Sequence, residues 1–230
     1  KNFYLLTYYK HEQFVLFKKR YQKILKVKIK LISEKEKLDT GGAVLNATKK
    51  INNKNDYMIL NGDSYLDANF DYIFEEYKKK SSIYMPLIKS KKQSFKLNGM
   101  KVDKKGKVKF APKSNYMNSG IYLMNRKHLK NFNYLKKFSL ENDLLLKKIK
   151  VGEVCGNLYF DDFIDIGSYS SLKKINNFIK YYFYKKKILF LDRDNTIIFD
   201  KGYTHKVEDI KLKKKNISFI NNNYKEYLKI

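Results

Sequence analysis

Two aspartates close short apolar runs, Asp63 in Tyr57-Met58-Ile59-Leu60-Asn61-Gly62-Asp63 and Asp165 in Phe163-Ile164-Asp165-Ile166-Gly167. A continuous apolar run bounded by turn residues reads as a buried strand of a parallel sheet. Ligands of open α/β sheets bind beyond the carboxyl ends of such strands. Asn61-Gly62 is expected to turn the chain sharply, so that the Asp63 carboxylate points back toward a ligand. Upstream, Thr40-Gly41-Gly42 places adjacent glycines at a helix opening, where a phosphate or flat ligand can approach the backbone. Two carboxylates from separate strand ends, beside a Gly-rich loop, suit a Mg²⁺ ion bridging phosphates. Each signal alone also fits a plain turn or helix start.

Apolar periodicity supplies the elements that position these residues. Strands are predicted at 3–7, 27–32, 57–60 and 83–88, with amphipathic helices at 11–25, after Gly42, and through Phe70, Ile73, Phe74 and Tyr77. This alternation predicts an α/β fold with a mostly parallel sheet and helices on both faces. The segments 99–103 and 106–110 read as an exposed hairpin, and 116–124 as one strand carrying Asn118-Ser119-Gly120. A helix should start at Ser139, a favoured cap, although Asn142 does not complete a capping box. Strands at 157–160 and 163–166 and a helix through Leu172, Ile175, Phe178 and Ile179 close this part, with a boundary near Tyr184.

Leu38-Asp39-Thr40-Gly41-Gly42-Ala43, Leu60-Asn61-Gly62-Asp63, Asn118-Ser119-Gly120-Ile121-Tyr122, Phe138-Ser139-Leu140-Glu141 and Phe163-Ile164-Asp165-Ile166-Gly167 follow one another in an order that resembles the sugar-1-phosphate nucleotidyltransferases. The resemblance is narrower to the heptose-1-phosphate and mannose-1-phosphate guanylyltransferase branch. It implies a Rossmann-like, GT-A-like fold. The implied partners are a nucleoside triphosphate, GTP in this branch, and a sugar 1-phosphate, which give a nucleotide-sugar and pyrophosphate. By the same resemblance Asp63 and Asp165 are catalytic Mg²⁺ ligands, and Thr40, Gly41, Gly42, Asn61 and Gly62 contact the nucleotide. Asn118 and Gly120 contact the sugar, Glu141 accepts hydrogen bonds from sugar hydroxyls, and Lys113 meets the sugar phosphate. Glu141 also fits a first-turn residue favoured by the helix dipole, and Lys113 a solvated lysine.

Two departures stand out. Asp39 occupies a position where the family carries a small residue, often Gly. The family's opening G-x-G-T-R-type loop and Pro-Lys pair do not occur here. The chain therefore reads as lacking the first strand and phosphate loop, or as a non-catalytic regulatory relative. It is expected to fold as an incomplete layer with weak or no catalysis.

Residues 185–230 read as a second segment, after a first domain of residues 1–184. Ile188-Leu189-Phe190-Leu191-Asp192-Arg193-Asp194-Asn195-Thr196 resembles the first motif of the haloacid-dehalogenase (HAD) phosphatases, and Gly202-Tyr203-Thr204-His205 is similar to their heptose and histidinol phosphatase branch. The resemblance implies that Asp192 attacks phosphorus, that Asp194 is the acid/base, and that both bind Mg²⁺. Asn195 stands where the family usually has Gly; Asn tolerates left-handed geometry. The later Lys and acidic motifs do not follow, so the segment reads as the incomplete start of a HAD-like domain.

Net charge is +27, which raises a nucleic-acid partner. The charge is almost all Lys, with Arg only at Arg20, Arg126 and Arg193, and base and phosphate readers favour Arg. A solvated basic surface is the expectation, with neither nucleic acid nor membrane as partner. The single cysteine, Cys155, reads as a small buried hydrophobe that can form no disulfide within the chain. With no signal peptide or membrane-length apolar run, a reducing cytoplasm is the expected location.

Overall fold

The computed structural model describes residues 2–51, 56–80, 82–89, 98–132, 136–160, 162–181, 187–188, 191–200, 202, 204–223 and 227–228. It contains two compact units, Lys1–Asp165 and Ile166–Ile230. The boundary expected near Tyr184 lies outside the described residues, as do Phe190 and Tyr203 of the second segment's motifs.

In the first unit, strand β1 (Asn2–Thr7), helix α1 (His11–Ile24) and strand β2 (Lys28–Ser33) form a parallel β-α-β pair. Helix α2 (Asp39–Ile51), strands β3 (Asp56–Leu60) and β4 (Ser64–Leu66), and helix α3 (Phe70–Lys78) follow. Asn69 caps α3, its side chain accepting from the N–H groups of Asp71 and Tyr72 at 3.0 Å. Next come β5 (Ile83–Tyr84), β6 (Leu87–Lys89), β7 (Asn98–Val102), β8 (Val108–Phe110), β9 (Tyr116–Asn118) and β10 (Ile121–Asn125). A π-helical turn at Leu140–Leu145 runs into α4 (Leu146–Lys150), and β11 (Val154–Cys155), β12 (Leu158–Tyr159) and β13 (Phe163–Asp165) end the unit.

The sheet is mixed rather than mostly parallel, which corrects the sequence-based expectation. β10 lies between β3 and β5 and runs antiparallel to both. The reason lies in the connection. Parallel neighbours need a long crossover, usually a helix. The chain instead reaches β10 through the β7–β8 hairpin and β9, with no helix between β6 and β10 among the described residues.

The expected continuous strands at 83–88 and 116–124 are each broken. Pro86 follows β5, and Gly120, at φ +74, separates β9 from β10. Between the pairings Leu123↔Tyr84 and Leu87↔Asn118, residues 119–122 stand opposite residues 85–86. This is a bulge, and bulges re-aim side chains. β11 and β12 break at the same level, where Gly156 allows close approach to the Met85 carbonyl.

Both faces of β10 are buried. Tyr122 and Met124 join a core with Val44 and Leu45 of α2 and with Leu140, Leu144 and Leu145 of the π turn. Ile121 and Leu123 join a second core with Ile73 and Tyr77 of α3 and with Cys155. Helices therefore cover both faces, and Cys155 is a buried free thiol. Among the described residues β1 pairs with β2 alone and β3 with β10 alone, leaving one edge of each without a ladder. Helix α1 buries none of its residues, and Phe14, Val15, Leu16 and Phe17 are exposed.

The start of α2 is clamped to the segment before the π turn. The N–H groups of Gly41 and Gly42 both donate to the Phe138 carbonyl, at 2.9 and 3.2 Å, and the Phe138 N–H donates to Leu38 at 3.2 Å. A Cβ on Gly41 would lie 2.3 Å from the Phe138 ring. Asp39 takes φ +58, the conformation that the usual Gly adopts freely, and pairs with Lys137 at 3.8 Å.

In the second unit β15 (Ile198–Phe199) pairs antiparallel with β16 (Lys211–Leu212), and β14 (Lys187–Ile188) pairs parallel with β17 (Tyr227–Leu228). The closing helix is two short turns, α5 (Tyr169–Leu172) and α6 (Ile175–Ile179), and α7 (Lys214–Asn223) lies near the end. Ile198 is the one buried hydrophobic side chain among the described residues of this unit, while Val207, Leu212 and Phe219 are exposed.

Leu123→Ala should lower stability by about 2–5 kcal/mol in urea unfolding, because it opens a cavity beneath a strand buried on both faces. Gly41→Ala should cost about 1–3 kcal/mol by collision with Phe138. A Phe138→Leu background should reduce that second loss; an equal loss in both backgrounds would remove Phe138 as its cause.

Candidate functional site

Strand β3 ends at Leu60, and the chain turns through Asn61, Gly62 and Asp63 into β4. Gly62 is not in the left-handed region, so the expected glycine-dependent turn is not how the chain reverses. Support comes from outside the turn. The Asn61 N–H donates to the Gly120 carbonyl at 2.8 Å, and a Cβ on Gly120 would come within 2.9 Å of Ser64 Oγ and 3.2 Å of Asn61 Cβ. The bulged β9–β10 junction is therefore the floor of the turn. A Cβ built on Gly62 meets nothing within 4 Å, so the turn faces open space.

β13 runs antiparallel to β4 and sets Asp165 opposite Ser64. Asp63 directly precedes Ser64 in the chain, so the two aspartates lie at the same end of the β4–β13 pair. Asp63 is exposed and Asp165 is half-buried. Among the described residues no group of three or more His, Cys, Asp or Glu side chains is placed to hold a metal. A two-carboxylate site suits a Mg²⁺ ion that keeps waters and takes its other ligands from phosphate.

A second cluster is built from four elements. The Thr40 hydroxyl, at the start of α2, donates to Glu141 Oε2 at 2.8 Å and accepts from the Leu140 N–H at 2.9 Å. Ser139 Oγ lies 3.3 Å from the same Glu141 oxygen. The Tyr122 hydroxyl, on β10, lies 3.1 Å from Glu141 Oε1 and 2.9 Å from Asn118 Oδ1. Asn118 Oδ1 also accepts from the Gly120 N–H at 3.0 Å. Burial, then the nearby Glu141 carboxylate, push the Tyr122 phenol well above its ordinary value. Tyr122 is consequently a neutral donor at any working pH.

Helix-end chemistry orients Glu141. Ser139 accepts from the Asn142 N–H at 3.1 Å, and Asp143 Oδ2 accepts from the Ser139 N–H at 2.7 Å. This reciprocal cap uses a residue one place beyond the usual box, so sequence inspection at Asn142 misses it.

The structure thus joins Thr40, Asn61, Asn118, Gly120 and Glu141 in one network and sets Asp63 beside Asp165. Gly41 and Gly42 are buried, with their N–H groups given to Phe138. Lys113 is exposed in the turn between β8 and β9, and no contact among the described residues ties it to the network. Tyr122 lies within Asn118-Ser119-Gly120-Ile121-Tyr122, where sequence alone assigns it no role. The available signal was its place in an apolar run, since a buried Tyr must find a hydroxyl partner.

In the second unit Asp192 is exposed, and Asp194 forms a two-pronged pair with Arg193 at 2.6 and 3.1 Å. Asn195 has φ +55, left-handed geometry that Asn tolerates. Asp200 accepts from the N–H groups of Gly202 and Thr204 at 3.1 and 2.8 Å.

Residues 1–181 match the family described as nucleotidyl transferase. A D-glycero-alpha-D-manno-heptose 1-phosphate guanylyltransferase from Campylobacter jejuni is 32% identical over 174 residues, covering 73% of this chain and 74% of that protein. One from Aneurinibacillus thermoaerophilus is 28% identical, covering 77% and 78%. The crystal structure of HddC from Yersinia pseudotuberculosis superposes with a TM-score of 0.64 at 24% identity, over 77% of this chain and 78% of that one, which shows the shared fold. Its ordered motifs, its mixed α/β architecture and the match across most of its length establish that the chain belongs to the nucleotidyl transferase family.

Proposed function

We propose that the chain carries a sugar-1-phosphate guanylyltransferase acting on D-glycero-α-D-manno-heptose 1-phosphate. A phosphate oxygen of the sugar attacks the α-phosphorus of GTP, the bond to the β-phosphate bridge breaks, and pyrophosphate leaves. The observation that carries this reading is the pairing of two sites around one turn. Asp63 directly precedes Ser64, which stands opposite Asp165, and the Asn118–Tyr122–Glu141 network reaches the same turn through Gly120, whose carbonyl accepts from the Asn61 N–H. The relatives named above support the heptose substrate.

Each group has a definite task. Glu141 accepts from sugar hydroxyls and Asn118 donates to them, while Gly120 keeps the floor low beneath the sugar. Thr40 holds Glu141 from the α2 side and, with Gly41, Gly42, Asn61 and Gly62, borders the nucleotide. Lys113 adds positive charge for the sugar phosphate. Asp63 and Asp165 would hold Mg²⁺, which when bound offsets the charge of two polyanions brought together. No helix among the described residues is long and apolar enough to cross a membrane; a cytoplasmic location suits substrates of this kind.

For residues 185–230 we infer the opening segment of a sugar-phosphate phosphatase, with Asp192 as nucleophile and Asp194 as acid/base, both toward Mg²⁺. The left-handed Asn195 and the Asp200-capped loop support it. A phosphatase acting on a bisphosphate would supply the 1-phosphate that the first unit consumes.

Asp63→Asn and Asp165→Asn should each abolish Mg²⁺-dependent pyrophosphate release from GTP and heptose 1-phosphate, with unchanged circular dichroism. Near-wild-type turnover in either variant would remove that carboxylate from the mechanism. Asp192→Asn should leave GMP transfer at the wild-type rate; a matching loss of transfer would point to one shared site.

A further inference from the structure

The network around Glu141 contains one more hydrogen-bond acceptor than Tyr122 can serve. The Tyr122 hydroxyl has a single proton, yet both Asn118 Oδ1 and Glu141 Oε1 lie within hydrogen-bond reach of it, at 2.9 and 3.1 Å. Asn118 Oδ1 already accepts from Gly120, and Glu141 Oε2 already takes Thr40. The proton favours Glu141 Oε1, because bonds to an ionised acceptor are roughly twice as strong as neutral ones.

Two orientations follow from this arrangement. The Asn118 carbonyl is turned inward to Gly120 and Tyr122, so its NH₂ group turns the other way, as a donor. Glu141 has one oxygen fixed from α2 and the other from β10, and a carboxylate retains further lone pairs for a ligand. An adjacent donor and acceptor, each locked by a buried partner, match a sugar hydroxyl, which accepts and donates at once. The bulge creates this pairing, since it brings Asn118, on the other side of Gly120, within reach of the Tyr122 hydroxyl that meets Glu141.

We propose that Tyr122 is the positioning residue of the sugar pocket: its hydroxyl donates to Glu141 and fixes that carboxylate as the acceptor for a hydroxyl of the sugar 1-phosphate, beside the Asn118 amide that the Gly120 N–H orients as donor, and Gly120 links the pair to the turn carrying Asp63. The proposal rests on the guanylyltransferase reading and specifies which binding step Tyr122 governs. Tyr122 itself is wholly buried and does not touch the substrate.

The test is Tyr122→Phe, which keeps the ring in the core and removes the hydroxyl alone. Steady-state kinetics with heptose 1-phosphate and GTP, and calorimetric binding of heptose 1-phosphate alone, are measured for both proteins. The expected result is a rise of about 10-fold in KM and Kd for heptose 1-phosphate, with KM for GTP changed less than about 2-fold. Glu141→Gln should add less in the Tyr122→Phe background than in the wild type. Unchanged sugar KM and Kd, or equal changes for sugar and GTP, would overturn the proposal. Failure of Tyr122→Phe to fold would also overturn it, by making the hydroxyl a structural requirement. A wild-type protein that binds heptose 1-phosphate without releasing pyrophosphate would defeat the transferase reading, while the Kd comparison still decides the role of Tyr122. A wild-type protein that does neither would overturn both.

Discussion

The fold depends on one strand being buried from both sides. β10 separates the two cores and joins β3 to β5 by backbone hydrogen bonds. A strand in that position can carry almost no polar side chain unless a partner waits for it. Tyr122 is the exception, and its partners are the residues that form the candidate sugar pocket. Satisfying one buried hydroxyl therefore ties the packing of the sheet to the geometry of the site. Thr40 extends the tie to α2, and Gly120, which donates to Asn118 and accepts from the Asn61 N–H, extends it to the turn after β3.

Much of this was legible in the sequence because apolar runs ending in Gly and Asp are local signals. Asp63 and Asp165 stand at the ends of such runs, and β1, α1, β2, α2, β3 and α3 were legible from periodicity, whereas β4 and the division of 83–88 into β5 and β6 were not. Strand direction was not legible. A run such as Ile121–Asn125 carries no mark of whether its neighbours run with it or against it; that follows from the connection, here a meander without a helix. The breaks at Pro86 and Gly120 were visible as residue types, but apolar continuity around them outweighed the punctuation. The reason for Gly41 was also hidden. Its partner Phe138 is distant in sequence, and close approach between distant segments leaves no local pattern.

The two units differ in how far local chemistry alone builds them. The first buries residues from every layer, so its polar contacts are held by packing. The described part of the second has Ile198 buried and is otherwise organised by short-range polar contacts, such as Arg193 with Asp194 and Asp200 with the loop after it. Such contacts shape a loop while contributing little to stability on an exposed surface. The many lysines follow the same logic. Most of those in salt bridges are more than half exposed, so they charge the surface without fixing the fold.

The bulge opposite residues 85–86 has a further consequence for how the sheet finds its alignment. Strands with apolar side chains on both faces are poorly protected against sliding, because a shift of one residue exchanges one oily face for another. β10 is such a strand. Here a slip would move the left-handed position off Gly120 onto a residue with a Cβ and would bring a proline or its neighbour into the ladder. Gly120, Pro86 and Gly156 thus act as alignment marks at one level of adjacent strands, and only one alignment lets all of them sit where their backbones allow.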